Sequence, residues 1–320
     1  QDQVSRPGSL DLFLQKLFIL FCHRCSKPQH LICFKDWTAE MVMNIINSAI
    51  NLKCRYRDTH QKRLNVLQNV KVTILQEVNE PALNLAVSKA ATFLGAYDVS
   101  VTDNLVWDYD YNGSIFSLLT DVIFVSTATH MCVQRFANKS DVPVLCMRSR
   151  THASIQALST VMAIMEEFGT LKGHNVSYVG APHPVLNSYL LLCPMLGANI
   201  KFKCCCEKCP ISPLLYKTSE DMTTKSSTES KQCTSKGEAL KQTSVVIAGP
   251  TTSKKDKIPE FKITCENTQC NWLFFHTCPR GEEVDDQLFN HCKARTFTSF
   301  LNMQYIAAAL MANAVKGHRF

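Results

Sequence analysis

From Lys71 onward, short runs of apolar and β-branched residues alternate with longer stretches whose apolar positions recur at helical spacing. The first group of strand candidates is "KVTIL" (71–75), "YDVSV" (97–101), "DVIFV" (121–125) and "VPVL" (142–145). A second group follows: "NVSYVG" (175–180), "NIKFKC" (199–204), "SVVIA" (244–248) and "WLFF" (272–275). Helical stretches such as Ala153–Phe168 and Pro184–Leu196 lie between them. Strand–helix alternation of this kind predicts parallel sheets covered by helices on both faces. The long helix near residue 160 separates the two groups, so the pattern predicts two doubly wound α/β domains. Ser219–Gln242 is rich in Ser, Thr and Lys and nearly free of large apolar residues, and reads as a mobile loop or weakly helical insert. No repeat of solenoid period is present.

Composition adds boundaries rather than identity. The chain has 320 residues, 46% hydrophobic and 19% charged, which fits a globular protein with a sizeable core. The formal charge of +7 is spread along the chain without a dense Lys/Arg block, which argues against a nucleic-acid partner. No apolar run reaches the roughly 18–20 residues of a membrane span; the nearest, "LDLFLQKLFILFC" (Leu10–Cys22), is broken by Asp11, Gln15 and Lys16. Residues 1–32 read as an N-terminal extension, with the look of a targeting remnant or an amphipathic helix. Their acids, Asp2 and Asp11, are unlike a transit peptide. Of 16 cysteines, Cys132, Cys146 and Cys193 sit in apolar runs and read as buried thiols, so a reduced, intracellular setting is expected.

Three stretches carry a resemblance. "FKDWTAEMV" (34–42), "LKGHNVSYVG" (171–180) and "HTCPRGEEVDDQLF" (276–289) together resemble ornithine carbamoyltransferases in their vertebrate form. The resemblance runs from about Cys33 to Ala314. It implies the aspartate/ornithine carbamoyltransferase fold: a carbamoyl-phosphate-type domain over 33–165, an ornithine-type domain over 166–299 with the polar insert 219–242, and a C-terminal helix over 300–320 returning to the first domain. It also implies a homotrimer with sites between subunits and, in such enzymes, a mitochondrial location. No cofactor is implied.

The chemistry of that family moves a carbamoyl group from carbamoyl phosphate to an amine, which calls for cations and helix N-terminal amides around a phosphate and donors on the carbonyl oxygen. Measured against that need, this sequence is depleted. Anchored on "FLGA" (93–96), the family's Ser-Thr-Arg-Thr-Arg phosphate loop falls on Glu80, Pro81, Ala82, Leu83 and Asn84. Both arginines are absent, Pro81 lacks an N–H, and Glu77 and Glu80 add negative charge, so the sign of the site reads as inverted. The same stretch makes a sound helix, with Asn79 or Glu80 at its start, Pro81 in the first turn and Gly95 at its end. The arginine after the third strand aligns with Ser126. The His-Pro-x-Gln motif aligns with Ala153–Gln156 and keeps only Gln156, with His152 one residue early. The Asn pair falls on His183 and Pro184. The Asp-x-Trp-x-Ser-Met motif falls on "GPTTSK" (249–254), with Gly249 for the Asp, Lys254 for the Met and only Ser253 kept. The late arginine aligns with Met303. In "HTCPRG", His276, Pro279 and Arg280 match, Thr277 stands for the Cys, and Cys278 is shifted by one. Arg280 is expected to pair with Glu282 or Glu283.

These readings predict a carbamoyltransferase-like chain with vestigial catalytic positions His276, Cys278 and Arg280, vestigial substrate positions Gln156 and Ser253, and a degraded phosphate loop. Carbamoyl-phosphate binding is not expected. The chain then acts as an interaction protein, in a homotrimer or a mixed trimer with an active relative. The alternatives are an active ornithine carbamoyltransferase making citrulline in the urea cycle and arginine metabolism, a decaying duplicate that never folds stably, and a metal- or redox-linked module. The last rests on two Cys-x-x-Cys pairs, Cys22–Cys25 and Cys206–Cys209, too far apart in sequence for the usual zinc spacing. Gly-rich nucleotide loops and serine nucleophile elbows are absent.

Overall fold

The structure, a computed structural model, describes residues 28–59, 63–103, 109, 111–206, 211–250, 258–267 and 272–320. The first half runs α1 (Ala39–Thr59), β1 (Lys71–Gln76), α2 (Pro81–Leu94), β2 (Asp98–Asp103), α3 (Asn112–Leu119), β3 (Val122–Ser126), α4 (His130–Asn138), β4 (Val144–Arg148) and α5 (Ser154–Phe168). The second half runs β5 (Asn175–Gly180), α6 (Pro184–Met195), β6 (Asn199–Cys204), α7 (Pro213–Ser226), β7 (Ser230–Gln232), α8 (Lys236–Leu240), β8 (Val245–Ala248), α9 (Ile258–Phe261), β9 (Leu273–His276), α10 (Asp286–Phe289) and α11 (Thr296–Lys316).

All strand pairs are parallel. The first sheet has the order β2-β1-β3-β4 and the second β7-β6-β5-β8-β9. β3 and β8 are buried at every position, the signature of parallel strands covered on both faces. Each sheet reverses its winding beside its first strand, at β1/β3 and at β5/β8. Ligands of open α/β sheets bind outside the carboxyl ends of strands at such switch points. The two-domain doubly wound class read from the sequence is therefore the fold observed.

Each expected strand is present, with small shifts. β4 begins after Pro143, not at Val142, because proline has no N–H for the ladder; its carbonyl still accepts from Ile123 N at 2.9 Å. The helix Pro81–Leu94 ends at Gly95 (φ +82°), where a Cβ would lie 2.6 Å from the Leu64 carbonyl. α11 packs on α1, α2 and α5 and so returns to the first sheet's layer. Its buried run Ala307–Ala309 lets the backbones approach closely.

Two expectations need correction. Residues 219–242 are not a loop or weakly helical insert: they complete α7, add β7 as the fifth strand of the second sheet and form α8. The burial is achieved with small polar groups. The fully buried Ser219 hydroxyl donates to Leu190 O at 2.7 Å and lies 3.1 Å from Ser230 Oγ. Cys233, Ala239 and Leu240 supply the apolar side. Among the thiols placed in the core, Cys146 and Cys193 are buried but Cys132 is half-buried on α4, facing Arg135, whose Nη2 lies 3.7 Å from its sulfur. Among the described residues no helix is long and apolar enough to cross a membrane.

Candidate active site

A cleft of about 320 Å³ opens at the carboxyl ends of β1, β4 and β9, between the two sheets. Glu80 and Ala82 reach it from the start of α2, Arg148 from the end of β4, Gln156 from the first turn of α5, His183 from the start of α6, and Thr277–Pro279 from the turn after β9. Phe300 and Met303 of α11 close one side. Positions far apart in sequence, aligned with one site from motifs alone, thus line one cavity.

The charges of this cleft differ from the expectation. Glu80 stands at the N-cap of α2, yet its side chain makes no capping bond; its carboxylate forms an ion pair with Arg148. Glu77 turns aside, accepting from Thr127 Oγ1 at 2.7 Å and Ala128 N at 2.9 Å. The sign of the site is therefore not inverted. A guanidinium from β4, which no motif marked, brings it close to neutral. Burial pulls the Arg148 pKa down and, with the Arg148 charge beside it, holds His183 at about 3. His183 is thus a neutral imidazole, accepting from Val185 N at 3.2 Å as the cap of α6. Asn84 donates to Gln76 Oε1, while its own buried Oδ1 has no partner among the described residues.

The "HTCPRG" loop is committed internally. His276 is buried; its Nδ1 accepts from Cys278 N at 2.9 Å, so the neutral ring carries its proton on Nε2 and donates to Glu283 Oε1 at 3.0 Å. Burial lowers its pKa, with Glu283 opposing. Cys278 takes φ +50°, a conformation uncommon for a residue with a Cβ. Burial, then Glu283, raises its thiol pKa against the pull of Arg280, so it is no activated thiolate. Arg280 pairs with Asp286 at 2.6 Å and lies 4.6 Å over the Phe289 ring. Its partner is Asp286, not Glu282 or Glu283, because Glu283 is turned inward to His276 and to Gly281 N at 2.8 Å. Gln156 donates to Thr277 O at 3.2 Å, tying α5 to the loop.

Residues 172–314 match the family model described as "Aspartate/ornithine carbamoyltransferase, Asp/Orn binding domain". The mitochondrial ornithine carbamoyltransferase of Aquarana catesbeiana is 23% identical over 312 residues, covering 90% of this chain and 87% of that one. The ornithine carbamoyltransferase of Pyrococcus furiosus superimposes with a TM-score of 0.84 at 21% identity, over 92% of this chain and 99% of that one. A mitochondrial enzyme from Coccidioides immitis gives 0.83 at 21%, over 90% and 98%.

Residues 172–314 thus match the Asp/Orn binding domain of aspartate/ornithine carbamoyltransferases, and the chain as a whole shares the ornithine carbamoyltransferase fold. At 21–23% identity the match is distant, and the structure explains what occupies the positions the motifs flagged. Gly249, aligned with the family's Asp, follows β8, where a Cβ would lie 2.5 Å from Ala181 O and 2.7 Å from Tyr178 Oη. Tyr178 donates its hydroxyl to Ala181 O across that spot. Ser126, aligned with the arginine of the third strand, is buried with a hydroxyl that has no partner among the described residues. His152 is buried near Ser188 and is not among the residues lining the cleft. Ser253, Lys254, Cys22, Cys25 and Cys209 lie outside the described residues, and Cys206 is half-buried after β6. Sequence reading missed Arg148 and also a grouping of Cys33, His130 and His152, whose potential ligand atoms lie within 4.8 Å of one another. Only the tertiary fold joins those three, so no spacing could have marked them.

Proposed function

We propose that this protein keeps the carbamoyltransferase fold without its reaction and acts by association, as a homotrimer or in a mixed trimer with an active relative. The observation that carries this reading is the Arg148–Glu80 ion pair at the start of α2. Where the family resemblance calls for two phosphate-binding arginines, α2 offers Ala82 and Asn84. Each missing charge-assisted contact is worth roughly 1.5–3 kcal/mol, together a factor of about 10²–10⁴ in affinity. Pro81 removes one of the N–H groups that a helix N-terminus offers an anion. An incoming phosphate must also displace Glu80 from Arg148, with a carboxylate left beside it. On the other wall, no side chain fits at Gly249 to hold an amino group.

Support for association comes from exposed apolar side chains just before β2 and along α3. Tyr97, Tyr111, Leu118 and Leu119 are all more than half exposed, and large exposed apolar side chains of this kind are what an interface between chains would cover. Two relatives carry "mitochondrial" in their names, and the same compartment is proposed for this chain.

The competing reading, an active ornithine carbamoyltransferase, draws on the guanidinium that stands in the cleft. Its neutralisation by Glu80 weighs against that reading. Purified protein assayed for citrulline from carbamoyl phosphate and ornithine should give no product above the blank, and should sediment as an assembly of 36.0 kDa chains. Steady citrulline formation that scales with protein would overturn the proposal.

A further inference from the structure

We propose that Cys33, His130 and His152 form a zinc(II) site beside β4, with the fourth position held by water. The donors come from three separate pieces of chain. Cys33 precedes the 3₁₀ turn Phe34–Asp36, on a segment fixed to β4 through Leu31 (Leu31 N to Val144 O 2.9 Å; Cys146 N to Leu31 O 2.7 Å). His130 opens α4, and His152 lies in the turn between β4 and α5. Their ligand atoms all fall within 4.8 Å of one another. A tetrahedral zinc ion, with Zn–S near 2.3 Å and Zn–N near 2.0–2.1 Å, sets its donors roughly 3.3–3.6 Å apart. Closing to that distance takes side-chain rotation at Cys33 and His130, which are both only half-buried. One thiolate and two imidazoles is a soft nitrogen–sulfur set that suits zinc and does not suit calcium or magnesium.

The surroundings are those of a supported site. His130 Nδ1 lies 3.2 Å from Ser149 Oγ, and His152 Nδ1 lies 3.4 Å from Ser188 Oγ. Both hydroxyls are themselves anchored: Ser149 Oγ accepts from His152 N at 3.0 Å and Ser188 Oγ from Ala153 N at 3.1 Å. With Nδ1–H donating to serine, each ring presents Nε2 to the ion, the arrangement in which outer hydrogen bonds orient metal ligands. Cys146 is close to Cys33 but packs in the apolar cluster under the first sheet with Ile32, Leu75 and Val125, so it is not a ligand. The half-exposure of Cys33 and His130 leaves the ion a route in and a place for water. Bound there, zinc ties the chain's entry segment to β4, α4 and the turn before α5.

The test uses the full chain, stripped of metal and titrated with zinc(II) against a chromophoric chelator, with cobalt(II) as the spectroscopic probe. One ion per chain is expected, with a raised melting temperature and a cobalt spectrum showing thiolate charge transfer and the intense bands of a four-coordinate ion. Cys33→Ala combined with His130→Ala should abolish binding. A variant with Cys22, Cys25, Cys206 and Cys209 all changed to Ser should keep it. Because a variant can fail to fold, X-ray absorption on zinc-loaded wild-type protein gives an independent reading: one sulfur, two imidazole nitrogens and one oxygen are expected. Absence of binding, binding that survives the Cys33/His130 double change, or a shell made only of sulfur would overturn the site.

Discussion

Arg148 and Glu80 satisfy each other in the place where a phosphate would have to be gripped. Neither could be read as a pair from the sequence: Glu80 looked like a helix-start acid, and Arg148, three residues beyond the strand expected at 142–145, fell in no motif. What joined them was the parallel sheet, which puts the ends of β1 and β4 on the same edge of the cleft. The pair is partly exposed, so its own contribution to stability is small; its importance is that it occupies the cation. Glu80→Gln should therefore free Arg148 and raise the affinity for inorganic phosphate, by about tenfold at low salt. The gain should shrink as salt is added. Calorimetry on the variant checks this, and the double change with Arg148→Ala should remove the gain. Neighbouring His183 cannot supply the missing charge, because burial and Arg148 keep it neutral down to a pH of about 3.

Between elements, the decisive contact is the approach of the β8 end to the β5 end. Gly249 N donates to Val179 O at 2.8 Å, and Gly180 lies so close that a Cβ on it would meet Gly249 N at 3.0 Å. This closeness forbids the carboxylate that the family motif places at 249. Gly249→Asp should fail as a restoration. The new side chain meets backbone and the Tyr178 hydroxyl, so a thermal melt should show a loss of about 2 kcal/mol or more, with no citrulline formed. A stable variant with activity would mean that the ornithine wall is intact. The sequence showed that the Asp was missing but not that its space was filled, since that depends on how two strand ends meet. The polar stretch 219–242 was misjudged for a related reason. Its burial is carried by Ser219, Thr223, Cys233 and short apolar residues, and β7 is three polar-looking residues, Ser230–Gln232, whose strand character comes from pairing with β6.

Across the whole molecule, the doubly wound pattern was legible because buried parallel strands are written as near-continuous apolar runs: β3 and β8 are such runs, and β1 and β5 are broken inside only by Thr73 and Ser177. The cleft was legible only as a set of motif positions; its charge balance and the Cys33–His130–His152 grouping arise from tertiary contacts. The same burial gives a pH signature. His183 and His276 both have folded pKa values below the reference of 6.5, so the folded state resists the proton that the unfolded chain accepts. Stability should be full above about pH 6.5 and should fall as pH drops toward 3, by about 1 kcal/mol or more per unit. Melts taken from about pH 7.5 to about pH 4.5 should show this decline, and His183→Asn should lessen its slope by about 1 kcal/mol per pH unit, leaving the share of His276 and the buried His152. The central claim remains the loss of the phosphate cradle. Calorimetric titration of the wild-type protein with carbamoyl phosphate, at neutral pH and low salt where an anion site is strongest, tests it most directly. No saturable heat at millimolar ligand is the result predicted by a cleft whose one cation among the described residues is already paired, and clear saturable binding would contradict it.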